Sequence, residues 1–165
     1  MPKLAEALVE RKGLQERLTR LHTRLAASAK VQEGDNPVEQ PGELIEEARR
    51  ILADIKRLTM QINFTNLQTA LPGNTDSGIG DGTSLMAAIA ERDRLRDERT
   101  LLDQLGNAAR LEPNRGYGVT RNEIKWRSTV DVADIQKQID ALSQSYRLLD
   151  TRIQEANWLT DLIQN

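Results

Sequence analysis

The sequence predicts an all-α protein built from two long antiparallel helical hairpins, packed as a coiled coil or bundle, with a short β-like segment before the last helix. Three observations carry that expectation. Leucine and isoleucine recur every three to four residues through most of the 165-residue chain. Aromatic residues make up only 3% of it against 38% hydrophobic overall, so burial falls to aliphatic stripes on helices. The Gly- and Pro-containing stretches are few and separate the stripes cleanly.

In the first stripe Leu4, Ala7, Arg11, Leu14, Leu18, Leu21 and Leu25 form one helical seam, interrupted at Arg11. KVQEGDNPVEQPG, with Gly34, Pro37, Pro41 and Gly42, then makes a connection. A second helix is expected to start near Pro41, because proline suits the first turn, where its missing N–H has no partner to lose. Its seam is Leu44, Ala48, Ile51, Ile55, Leu58 and Ile62, and the two stripes bury each other most simply as a hairpin over residues 3–70. LPGNTDSGIGDGT, residues 71–83, holds four glycines and a proline and reads as a flexible loop.

Helix resumes near Ser84 with Leu85, Ala88, Ile89, Arg92, Leu95, Leu102 and Leu105. ERDRLRDER supplies opposite charges three and four apart on its wet side. The last helix, capped by Asp131, carries Val132, Ile135, Ile139, Leu142, Tyr146, Leu149, Ile153, Ala156 and Ile163. This second hairpin spans residues 84–165, and the whole chain reads as a single helical domain. Between its helices RNEIKWRSTVDV alternates with period two, which suggests an extended stretch over residues 119–130. Such a stretch must pair with a turn near Tyr117–Thr120 or with the same strand of another subunit.

Composition narrows the function classes. Lys and Arg number 23 and Asp and Glu 25, a net charge of −2, so no global basic field favours nucleic acid. With no cysteine, disulfides, thiolate metal sites and cysteine nucleophiles are excluded. No apolar run has membrane-spanning length and MPKLAEALVERKG lacks a signal-peptide core, which reads as a cytoplasmic protein. The single histidine, His22, sits beside an apolar seam without the Glu-x-x-His spacing of a carboxylate-bridged metal bundle. Nor does it have partners for nucleophilic catalysis. NTDSGIGDG fails as a calcium loop and, lacking a Gly-Lys-Ser/Thr, as a phosphate loop. No enzyme activity and no cofactor are expected.

The candidate functional residues are therefore contact residues. Asn63 and Asn66 lie where the second stripe runs out, either fixing register and oligomeric state or lying on the solvated face. Trp126 sits in the alternating segment. Asn157 and Trp158, with Glu155, lie near the C-terminus, where Trp158 either anchors another helix across an interface or packs within the hairpin. Long stripes with few aromatics leave apolar edges, so a symmetric homo-oligomer is expected. The leading expectation is a non-enzymatic structural or interaction protein, and the alternative is a metal-binding protein with a carboxylate site between helices or subunits.

KLAEAL at 3–8, VQEG at 31–34, INFTN at 62–66, EIKW at 123–126, TVDV at 129–132 and IQEANW at 153–158 resemble a family of small bacterial proteins, some labelled septicolysin-like. The resemblance implies a bacterial origin, a mainly helical fold and a homo-oligomer, and it brings no catalytic residues. A cytolysin is not what these residues support, since neither an amphipathic β-hairpin pair nor a membrane-length segment is visible.

Overall fold

The computed structural model describes residues 1–72, 80–110 and 126–164. Among these, four helices follow in order: α1 (Leu4–Ser28), α2 (Pro41–Gln68), α3 (Leu85–Ala109) and α4 (Val132–Leu159). Two-residue strands β1 (Ala70–Leu71) and β2 (Thr83–Ser84) pair between α2 and α3. The fold is all-α, as the stripes predict.

Local chemistry sets the helix starts. Pro41 occupies the first turn of α2. At α4 one Asp131 carboxylate oxygen accepts the N–H groups of Ala133 at 2.8 Å and Asp134 at 3.2 Å, satisfying two donors that the helix cannot. At α1 the Glu6 carboxylate turns back to accept the Lys3 backbone N–H at 2.7 Å. Gly82, at φ +77°, supplies the left-handed residue that leads into β2.

The chain divides into two compact units, one made of Met1–Leu71, Ser84–Met86 and Ile153–Asn165, the other of Pro72–Thr83 and Ala87–Arg152. In the first, α1 and α2 run antiparallel. Leu21, Leu44 and Ile51 are buried together, with Leu14, Leu18, Leu25, Ala48 and Ile55 packed around them. Full burial of Leu21, Leu44 and Ile51 contributes roughly 1.5–3 kcal/mol each. Two ion pairs run along the seam's edge: Arg17 to Glu47 at 2.5 Å, and Arg24 to Glu39, which holds the Glu39 carboxyl below its ordinary range through the hydrogen bond and the charge. Both are solvent-facing and act more on register than on stability.

The rest of this unit is tied to the far end of α2. Thr65, fully buried, donates its hydroxyl to the Gln61 carbonyl at 2.8 Å, and the same oxygen accepts the Ile163 N–H at 3.0 Å. The C-terminal segment then lies along the N-terminus. Leu4 N–H donates to Thr160 O at 2.9 Å and Leu162 N–H to Pro2 O at 2.8 Å, forming a β-bridge between Lys3 and Asp161. The Lys3 ammonium adds bonds to the Asp161 carboxylate at 2.8 Å and to the Leu159 carbonyl at 3.1 Å. Hydrogen bonding by Lys3, and then its charge, pull the Asp161 carboxyl below the ordinary carboxylate range. Leu85, at the start of α3, joins the same end of α2 by donating its N–H to Thr69 O at 2.8 Å.

Two expectations need correction here. The spacing puts Ile163 at the end of the last helical stripe, but α4 stops at Leu159 and Ile163 follows it in the tail that Thr65 captures. Period alone could not separate these, because a half-buried residue four positions past a helix end falls in phase with the stripe. Of the alternating stretch, residues 119–125 lie outside the described residues; residues 126–130 form no strand. There the Ser128 hydroxyl donates to the Val130 carbonyl at 2.6 Å and also accepts the Val130 N–H at 3.3 Å, a local turn that removes the groups a strand would pair.

In the second unit α3 and α4 are also antiparallel. Arg92 reaches Asp150 at 3.2 Å near one end, and Gly106 packs on Ile135 near the other. A methyl group at Gly106 would lie 3.3 Å from the Ile135 Cγ2, so the glycine permits this approach. Leu95, Ile135 and Leu149 are buried in this unit.

Three outcomes are expected. Thr65→Val leaves the Ile163 N–H without an acceptor and lowers stability by about 1–3 kcal/mol in urea unfolding; an unchanged midpoint contradicts the tie. Gly13→Ala, in a helix interior with nothing near the added methyl, raises stability by about 0.5–1 kcal/mol, while Gly106→Ala gains less because Ile135 must shift. Lys3→Met lowers stability at neutral pH. Since Asp161 has a depressed value in the folded state, its contribution is full above the ordinary carboxylate range and lost as pH falls below it, so the gap between wild type and variant narrows on acidification.

Candidate functional site

Helix α2 is apolar on two sides. Its inner face, Leu44, Ile51, Leu58 and Ile62, is buried. On its outer face Ile45, Leu52, Met60, Phe64 and Leu67 stay exposed, Met60 at 63% and Leu67 at 54%. Rows at Ala53, Lys56, Met60, Asn63 and Leu67 are three or four residues apart, so they lie along one side.

Met86, at the beginning of α3, projects beside this row, and the result is an open groove of about 710 Å³. Its floor is aliphatic and aromatic: Ala53, Met60, Phe64, Leu67 and Met86. Cations edge it at Lys56 and Arg57. Arg57 is bonded to Asp54 at 3.2 Å one turn away, whereas Lys56 makes no ion pair among the described residues. Polar groups contribute Asn63 and Gln61. Gln61 is 8% exposed and its side-chain carbonyl has no hydrogen-bond partner among the described residues.

The groove contains neither a nucleophile beside a base nor a set of carboxylates. Among the described residues no group of three or more His, Asp or Glu could hold a metal ion. His22 is exposed on α1. No described helix is long and apolar enough to cross a membrane. The groove is thus an apolar concavity with a basic edge at Lys56.

The candidates named from sequence fall in different places. Asn63 is exposed and lines the groove. Asn66 is half-buried, with its side-chain carbonyl shut from solvent and unpaired among the described residues. Asn157 is buried, while Trp158 beside it is 61% exposed. Trp126 lies in the other unit, 82% exposed. Sequence reasoning passed over Thr65, Gln61 and the Met60, Phe64, Leu67 row. The available signal was a second stripe on α2, with the same period as the first and on the opposite side of the helix.

The model of a family of unknown function, DUF6847, matches residues 11–162. A crystal structure from Corynebacterium diphtheriae, described as a functionally unknown conserved protein, is similar at 36% sequence identity and a TM-score of 0.84, covering 98% of this chain and 99% of that one. No curated protein matches. The septicolysin-like label finds no support in either description; what holds is a helical family without an assigned role.

Proposed function

The chain belongs to the family of unknown function DUF6847, and we propose that it is a non-enzymatic interaction protein that works as a homo-oligomeric helical assembly, with the outer face of α2 as its contact surface. The observation that carries this reading is the groove. Met60, Phe64, Leu67 and Met86 place large apolar side chains around one open concavity instead of scattering them singly. Isolated exposed apolar residues are ordinary on a soluble protein, but a contiguous patch marks a contact.

Methionine favours such a role, because its unbranched thioether adapts to the shape of an incoming surface. The mostly apolar lining of the groove supports a binding role.

Light scattering on a size-exclusion peak tests this directly. The wild-type chain is expected at a multiple of 18.6 kDa, and Met60→Glu, which places a charge in the exposed floor, is expected to return it to a single chain with its helical circular dichroism intact. A wild-type mass of 18.6 kDa across the concentration range contradicts the assembly.

A further inference from the structure

Resting on the assembly reading, we infer that the occupant of the α2 groove is Trp158 of a second copy of this chain, with Glu155 of that copy facing Lys56. The groove asks for two things in an occupant: apolar bulk for the Met60, Phe64, Leu67 and Met86 floor, and negative charge for the Lys56 edge. The end of α4 offers both. Trp158 and Leu159 are 61% and 69% exposed there, side by side.

Charge completes the match. Glu155 stands three residues before Trp158, hence on the same side of α4, is exposed, and makes no ion pair among the described residues. Asp161, the other nearby carboxylate, is engaged by Lys3 at 2.8 Å. So each patch carries one unpaired charge at its margin, positive beside the groove and negative beside the indole. Complementary charges flanking an apolar contact fix its register.

Trp158 is also presented from a firm base. Ile153, Ala156 and Asn157 around it are buried, and the helix end is held by the Leu4 N–H to Thr160 O bond at 2.9 Å and the Lys3 bond to Leu159 O at 3.1 Å. With the backbone that carries it already held, docking orders only the side chain. Tryptophan seated in an apolar pocket is the residue type that most often dominates an interface, and methionine sulfurs pack well against aromatic rings. Both patches belong to the same copy, so a two-fold pairing makes the contact twice.

The test mixes ¹⁵N-labelled and unlabelled chains, joins contacting carboxylates and amines with a zero-length carbodiimide, and maps the products by mass spectrometry. A Lys56–Glu155 peptide pair carrying one label from each copy is expected. In parallel, Trp158→Ala is expected to weaken self-association at least tenfold with its thermal midpoint little changed, and Lys56→Glu with Glu155→Lys is expected to recover association that either alone reduces. If Lys56–Glu155 pairs come only from within one copy, or if Trp158→Ala associates as tightly as wild type, the inference is overturned. Should Met60→Glu still abolish assembly in that case, a face such as α2 itself fills the groove and the assembly reading survives. A wild-type monomer at all concentrations overturns both.

Discussion

The Thr65 hydroxyl ties α2 to the C-terminal tail at the end of the first unit where its chain segments meet. The Thr65 oxygen donates into its own helix, to Gln61, and accepts from Ile163, which is 98 residues away in sequence. Its backbone carbonyl continues the path by accepting both the N–H and the hydroxyl of Thr69, at 2.9 and 2.8 Å, and the Thr69 carbonyl takes the Leu85 N–H. In water these groups would be solvated; inside the protein each would be costly if left alone, so the last turn of α2, the C-terminal tail and the start of α3 form together.

The groove follows from that arrangement. A helix has room on its circumference for more than one apolar row, and α2 uses its inner row on α1 and its last turns on the C-terminal tail. Once Thr65 points inward, Phe64 and Leu67 have to lie on other faces, because successive residues are about 100° apart. Met86 arrives next to them because Leu85 is bound to Thr69 immediately before it. The tie that completes the core thus assembles the exposed floor, and gives the end of α4 a fixed position from which Trp158 is displayed.

Much of the architecture was legible. Proline at 41 and aspartate at 131 mark helix starts by mechanisms that need no tertiary context, and the inner seam of α2 has a period that only a helix satisfies. Thr65 was not legible. In INFTN a threonine between two asparagines looks like the polar run of a fraying helix end, and the acceptor it supplies is meaningful only once the tail has folded back. The tail itself, with Ile163 in phase with α4, imitates continued helix. Gly106 is a similar case: its value lies in the Ile135 methyl group across the helix pair, a distance no local pattern encodes. As for the groove, a second stripe on α2 was present in the spacing but was masked by the stronger one on the opposite side.

The most direct test of the central role given to Thr65 is native-state hydrogen exchange at the Ile163 amide. If the tail is locked to α2 as described, this amide exchanges on the timescale of the Leu58 and Ile62 amides, through the same cooperative opening. Exchange as fast as at a frayed chain end, with Leu58 and Ile62 still protected, would mean that α2 folds without the tail and that the hydroxyl does not organise the unit.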